Sequence, residues 1–209
     1  MALTKSGAEV DAWAAIALGS VREGAAVDLS DAYESRLYID AALAGTTAHL
    51  GLEVIVQTST ATSGDSFWSE FIRYTRFVSV TGQDADFAGT EAAGQTVLSV
   101  TDPVAQNIDN EPKFKFVEHD TDANSEIVYQ LSNSGDAGDT ITVLDGLTNE
   151  QTSSSNIYDV DSATVEGVAM DQFDLPRSTL RARVIYNNDY GATGSTCYTR
   201  CRVTKVTAI

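Results

Sequence analysis

Arg36-Leu37-Tyr38-Ile39-Asp40-Ala41-Ala42-Leu43 alternates in character with a period of two. Leu37, Ile39, Ala41 and Leu43 fall on one side of an extended chain, with Tyr38 and Asp40 on the other, which is the pattern of a half-buried strand. The same alternation recurs outward from this stretch. Leu52, Val54 and Val56 alternate with Glu53, Ile55 and Gln57, and Leu180, Ala182, Val184 and Tyr186 alternate with Arg181, Arg183 and Ile185. A last strand spans about Thr196 to Val206. Phe67 to Val80 reads as two strands or one bent strand, with its aromatics in the core. Threonine and valine are abundant and long helical stretches are missing, so the chain is expected to be all-β. Ser6 to Leu18 is ambiguous. It fits a short helix with Val10, Trp13, Ala14 and Ala17 on one face, or an arm leading into a strand over Trp13–Val21, and the second reading is preferred.

Turn residues punctuate the strands. Ser63-Gly64-Asp65-Ser66 and Asn187-Asn188-Asp189-Tyr190-Gly191 tolerate left-handed backbone. They suggest a meander of hairpins in which the last two strands pair with each other. Composition shifts near Gly82 and back near Ser162. Residues 82–162 hold sixteen acids and two bases, Lys113 and Lys115, a local charge of −14 within a total of −17. Four strand candidates lie inside: Thr96–Thr101, Lys113–Val117, Glu126–Leu131 and Thr140–Leu144. The expected architecture is an antiparallel β-sandwich, jelly-roll-like, from residues 1–88 and 163–209. A small acidic β-barrel or sandwich module, residues 89–162, is inserted in it, with Gly82–Gly94 and Gln151–Asn156 as its two connections.

The bulk properties exclude several functions. A chain of 209 residues can bury a core without metals or disulfides. A net charge of −17 opposes direct contact with nucleic acid or an anionic membrane. Met1 to Ala15 does not resemble a signal peptide, and no apolar run reaches the length of about 18 residues needed to span a bilayer. The chain is expected to be made in a cytoplasm and to stay soluble. Cys197 and Cys201 would sit about 13 Å apart on one strand, beyond the roughly 7 Å a disulfide allows, so both are expected to be reduced.

No sequence signal of catalysis stands out. Asp120-Thr121-Asp122-Ala123-Asn124-Ser125-Glu126 begins like a Ca²⁺-binding EF-hand loop. However, Ser125 stands where glycine is needed and Leu131 where the bidentate glutamate is needed. A solvated acidic turn explains it, although an irregular calcium loop stays open. His49 and His119 lack the neighbours a zinc site requires, and His49 reads as a surface turn residue. There is neither a nucleophile elbow nor a phosphate-binding loop. No cofactor is expected. Asp84/Asp86 and Asp159/Asp161 lack the aromatic cleft that glycoside hydrolysis needs.

The basic residues gather at the end of the chain. Arg177, Arg181, Arg183, Arg200, Arg202 and Lys205 face only one acid, Asp189, across the last 33 residues. If the last two strands pair, Arg181, Arg183, Arg200 and Arg202 form one guanidinium stripe suited to a protein interface. Pairing with carboxylates of the same chain, such as Glu53 or Glu70, is the competing explanation.

Arg36–His49, Glu53-Val-Ile-Val-Gln57, Gly64-Asp65-Ser-Phe-Trp68 and Arg181–Asn188 resemble the small virion structural proteins of tailed bacteriophages and prophages. Ala93–Val100, Ser125–Val128 and Thr140–Thr148 are similar to a module found in phage structural proteins. The resemblance is one of style and carries no signature residue. It implies a non-enzymatic, head- or neck-associated accessory subunit, such as a capsid decoration, cement or head–tail neck protein. Such a protein would be located in the virion after assembly in the host cytoplasm. Its partners would be capsid, portal, neck or tail subunits and further copies of itself. A carbohydrate- or receptor-binding sandwich of a tail or surface structure is the alternative.

Overall fold

The computed structural model describes residues 3–45, 48–64, 67–77, 80–101, 108, 112–133, 139–160, 167–188 and 196–208. In chain order its strands are β1 (Leu3–Ile16), β2 (Val21–Glu23), β3 (Val27–Asp28), β4 (Ala32–Ala44), β5 (Ala48–His49), β6 (Leu52–Ser59), β7 (Ser69–Arg76) and β8 (Val80–Asp86). They continue with β9 (Val97–Ser99), β10 (Lys113–Glu118), β11 (Glu126–Asn133), β12 (Thr140–Val143), β13 (Asn156–Val160), β14 (Val168–Asp174), β15 (Arg181–Asn187) and β16 (Thr196–Ala208). The only helical element among the described residues is one 3₁₀ turn, Asp122–Asn124. The chain is all-β, with antiparallel sheets, as the alternation requires.

Two sheets make the sandwich. Sheet A has the order β1-β16-β4-β14, and sheet B the order β2-β15-β6-β7, with β3 also on β15. Leaving out the short β3 and β5 and the run β8–β13, eight strands remain. Numbered along the chain, they fall as 1-8-3-6 in one sheet and 2-7-4-5 in the other. This interleaving brings first and last strands together and is the two-sheet arrangement of a jelly roll. The meander expectation is therefore corrected. β15 pairs with β6, β2 and β3, whereas β16 pairs with β1 and β4, so the last two strands are in different sheets. Alternation specifies which side chains are buried, not which strand lies alongside. Of the proposed turn between these strands, residues 189–194 lie outside the described residues.

The core between the sheets follows the alternation. Leu37, Ile39, Ala41 and Leu43 of β4 meet Leu52, Val54 and Val56 of β6 and Ala182, Val184 and Tyr186 of β15. Cys197, Cys201 and Val203 of β16 complete the layer. Both cysteines are free and fully buried. The N-terminal segment is one long strand, β1, with register shifts near Glu9–Asp11 and Asp11–Ala14, and no helix. Pairing along β16 overrides its weak helical periodicity. The aromatic run divides into β7 and β8, with Phe77 buried at φ 59° shortly after β7. The expectation of an aromatic core holds for Phe77 and for Tyr74, which packs against it, but Phe67 and Phe71 are exposed.

A third sheet, β5-β8-β13-β10-β11-β12-β9, takes six of its seven strands from Val80–Val160. The four strand candidates of this stretch appear as β9 to β12. The first expected connection begins in a strand, because β8 pairs with β13 from Gly82↔Val160 to Asp86↔Asn156, while the second, Gln151–Asn156, meets β13 only at Asn156. The sheet curls, and a single bridge joins Phe87 to Val100 near its opposite ends, without closing a barrel. One face encloses Phe87, Leu98, Val117, Ile141 and Ile157. The other packs Phe116 and Tyr158 against Trp13, Ala42, Ala44 and Tyr198, on the outer face of sheet A.

Gly82 sits where this third sheet leaves the sandwich. A Cβ there would lie 1.8 Å from the Gly45 carbonyl oxygen, backbone that cannot step aside cheaply. Gly82→Ala is expected to cost at least about 1–3 kcal/mol through overpacking, read as a lower urea midpoint. Gly89→Ala, with no atom within 4 Å of its added Cβ, should stay near wild type.

Candidate interaction site

The jelly-roll topology sends the four arginines of the expected stripe to opposite surfaces. Ala182 and Val184 point into the core, so Arg181 and Arg183 project from the outer face of sheet B. Cys201 and Val203 point inward, so Arg200 and Arg202 project from the outer face of sheet A. The single stripe does not form, because its premise, pairing of the last two strands, is not met.

On sheet A the guanidiniums are held internally. Asp40 is 2% exposed, and its Oδ2 accepts from Arg200 Nε (3.0 Å), Arg200 Nη2 (2.7 Å) and Arg202 Nη2 (2.8 Å). Arg200 also lies over the Trp13 ring. Two shallow clefts, of about 200 and 300 Å³, flank Tyr38, the second lined in part by Arg202. The first contains the exposed Arg36–Asp174 pair.

On sheet B the arrangement differs. Arg181 and Arg183 bring their guanidinium carbons to 4.6 and 4.4 Å from the centre of the Trp68 ring. Arg183 bonds Gln57 Oε1 (2.8 Å) and pairs with Glu23, while Arg181 donates to Gly64 O (3.0 Å). Phe67 is 63% exposed beside this cluster, and Phe71, where the β6–β7 register shifts, is 39% exposed. Val21 of β2 is 63% exposed on the same face. Tryptophan, arginine and phenylalanine on one sheet face form the composition of an interface centre. The sequence showed the arginines but not Trp68 between them, since Trp68 comes from a hairpin more than 110 positions away.

The histidine expectation needs correction. His49 is 1% exposed, its Nε2 is 2.9 Å from Asn188 Oδ1 and 3.3 Å from Cys197 Sγ, and its Nδ1 accepts the Gly51 N–H at 3.0 Å. Cysteine, histidine and asparagine side chains also meet in nucleophilic active sites, but the wiring here opposes that chemistry. With Nδ1 an acceptor, Nε2 carries the proton and donates it to Asn188, so no ring nitrogen is open to take one from the thiol. Asn188 Nδ2 in turn donates to Ile16 O at 2.7 Å. The cluster joins β5, the end of β15, β16 and β1. His119 is occupied locally, its Nδ1 accepting the Thr121 N–H.

The acidic turn also resolves into internal bonds. Asp122 Oδ2 accepts Ala15 N–H of β1, and Asp120 Oδ2 accepts from Thr152 Oγ1. Glu126 accepts the N–H groups of Thr148 and Asn149 and the Gln151 amide. The carboxylates diverge, and no group of three or more His, Cys, Asp or Glu side chains among the described residues is placed to hold a metal ion. Among the described residues no helix is long and apolar enough to cross a membrane.

The fold and this surface describe an all-β sandwich whose sheet B carries an exposed aromatic–arginine face. No family model matches the chain, and no curated protein matches it. Among solved structures it aligns with VP17, a capsid protein of bacteriophage P23-77, at 9% identity over 100% of both chains, TM-score 0.20. The complex of the two major capsid proteins of that phage, VP16–VP17, aligns at 9% identity over 99% of this chain and 100% of that one, TM-score 0.21. A structure of infectious bursal disease virus, Gx strain, aligns at 8% identity over 99% of this chain and 42% of that one, TM-score 0.24. At such scores these alignments do not define a common fold.

Burial lifts the Cys201 thiol to about 12 and raises Cys197 too. It also raises Tyr74, Tyr158, Tyr186 and Tyr198 above the ordinary 10.0, with Glu118 adding to the effect at Tyr158 and Tyr198. All these groups are neutral when protonated, so the folded chain holds more protons than the unfolded one at high pH. Their contribution is complete below the unfolded values, 9.0 for cysteine and 10.0 for tyrosine, and is lost as pH rises through the folded ones. The urea midpoint should therefore fall from about pH 9 upward. A thiol reagent should react with neither cysteine until the protein unfolds.

Proposed function

We propose that this chain is a non-enzymatic structural subunit of a tailed-phage particle, a capsid decoration, cement or neck protein. The observation that carries the reading is the jelly-roll strand order. This architecture recurs in viral capsid proteins, although lectins and cupins use it as well. The buried His49–Cys197–Asn188 cluster and the internally bonded carboxylates support a structural role over a catalytic one.

In this reading the expected outer domain is the sandwich of sheets A and B and the run β8–β13, Val80–Val160, is the inserted module, seated on sheet A, so that β8 falls on the module side of the expected 88/89 boundary. The outer face of sheet B is then the docking surface for neighbouring virion subunits or further copies of the chain. Arg181 and Arg183, stacked with Trp68, are its centre, and Phe67, Phe71 and Val21 are its apolar contribution. Arg200 and Arg202 act within the chain. Guanidiniums held against a rigid ring lose little freedom on docking and fix orientation.

Trp68→Ala combined with Arg181→Ser and Arg183→Ser should abolish incorporation into particles, scored by electron microscopy, while circular dichroism stays native. Arg200→Ser with Arg202→Ser should instead lower stability, by about 3–5 kcal/mol if Asp40 is left charged and buried. A chain that stays monomeric in light scattering and never associates with particles overturns the proposal. Submillimolar glycan binding lost on Trp68→Ala would support a carbohydrate-binding module instead.

A further inference from the structure

Residues 82–162 contain two bases, Lys113 and Lys115, and both point at one carboxylate. Asp159 is 1% exposed. Lys115, also fully buried, contacts its Oδ2, and Lys113 Nζ lies 2.7 Å from its Oδ1. The Val160 N–H donates to that same Oδ1 at 2.7 Å. The two oxygens are thus in different situations: one faces Lys115, and the other is held by Lys113 and a backbone N–H.

The strand register fixes this arrangement. Phe116 pairs with Tyr158 in the β10–β13 ladder, which sets Lys115 opposite Asp159 one step further along. Val117, on the same face of β10 as Lys113 and Lys115, lies in the core of the third sheet, so the meeting place is dry. On the other side of β13, Gln83 pairs with Asp159, and its Oε1 is a buried acceptor with no hydrogen-bond partner.

We propose that Lys115 and Asp159 form an intramolecular isopeptide bond. A proton passes from the Lys115 ammonium to Oδ2, leaving an amine beside a carboxylic acid. Nζ then attacks Cγ, and the charge that develops on Oδ1 is stabilised by Lys113 and the Val160 N–H, which act as an oxyanion hole. The Cγ–Oδ2 bond breaks, and Oδ2 leaves as water with the proton it received and a second proton from Nζ. The product is an Nζ–Cγ amide, and no oxidant or co-reactant is consumed. Well-placed intramolecular pairs reach effective molarities of about 10⁵–10⁸ M, which offsets the reluctance of amines and acids to condense in water. The product amide carries one N–H, and the unpartnered Gln83 Oε1 on the neighbouring strand is an acceptor for it. The bond would tie β10 to β13 and close the chain between them, independently of any role in a particle.

Intact-mass spectrometry of the purified, denatured full chain tests this. The wild type should be lighter by one water than its sequence requires, allowing for removal of Met1. Digestion with a glutamate-specific protease should give a branched peptide joined at Lys115 and Asp159. Lys115→Arg and Asp159→Ala should show the full mass, and Lys113→Met should slow bond formation by about 100-fold. The wild-type measurement stands even where a variant misfolds. Full mass in the folded wild type after days of storage overturns the proposal. So does a lost water that maps to a succinimide at Asp145-Gly146, or a branch at Lys113.

Discussion

Strand β4 is buried on both faces from Asp40 to Ala44, and the other layers are arranged around that constraint. Its inner face, Ile39, Ala41 and Leu43, belongs to the sandwich core. Its outer face is Asp40, Ala42 and Ala44. Packed sheets lie about 10 Å apart, and the small alanines leave room for large rings from sheet A itself and from the third sheet. Trp13, Phe116 and Tyr198 fill that room, with ring centres 5.1 and 5.0 Å apart along the chain of contacts. Glu118 of β10 accepts the hydroxyls of both Tyr158 and Tyr198, so a carboxylate of the third sheet is bonded directly to sheet A. Ala15 N–H on Asp122 adds a second polar link.

The acidity of residues 82–162 is in part structural. Glu126 organises the Thr148–Gln151 turn, Glu91 accepts the Ser99 N–H, and Asp159 gathers two lysines. Buried carboxylates bonded in this way specify a geometry more than they add stability, because desolvation consumes much of the Coulombic gain. Removing a partner is costly for the same reason, since it leaves a charge in the dry interior.

The third sheet also decides which surface remains for partners. Sheet A is covered over the half that carries Trp13 and Tyr198, Arg200 and Arg202 are drawn onto Asp40, and Arg36 pairs with Asp174. Among the described residues no third sheet covers sheet B. Its outer face mixes internal pairs, such as Arg73 with Glu53 and Glu70, with exposed aromatics and the Trp68–arginine stack. Asymmetry between the two faces of one sandwich follows from where a single run of chain folded back.

The sequence by itself determined the all-β class, the inward face of β4, β6 and β15, four strands of the acidic segment and the reduced cysteines. These depend on a period of two or on short local spacings, which a chain displays wherever it ends up. Tertiary structure alone decided the rest. Which strands are neighbours is set by long-range packing, so β15 and β16, adjacent in sequence, parted into different sheets and separated the expected arginine stripe. His49 looked like a surface turn residue because its partners, Asn188 and Cys197, are more than 130 positions away. Gly82–Asp86 looked like part of a linker because a polar strand such as β8, Val80–Asp86, gains its order from pairing with β13 and not from its own pattern. Lys113 and Lys115 read only as the two bases of an acidic segment, and Asp159 only as the neighbour of Asp161, for the same reason. Only the register of β10 on β13 brings them to one place, and only burial turns that meeting into chemistry.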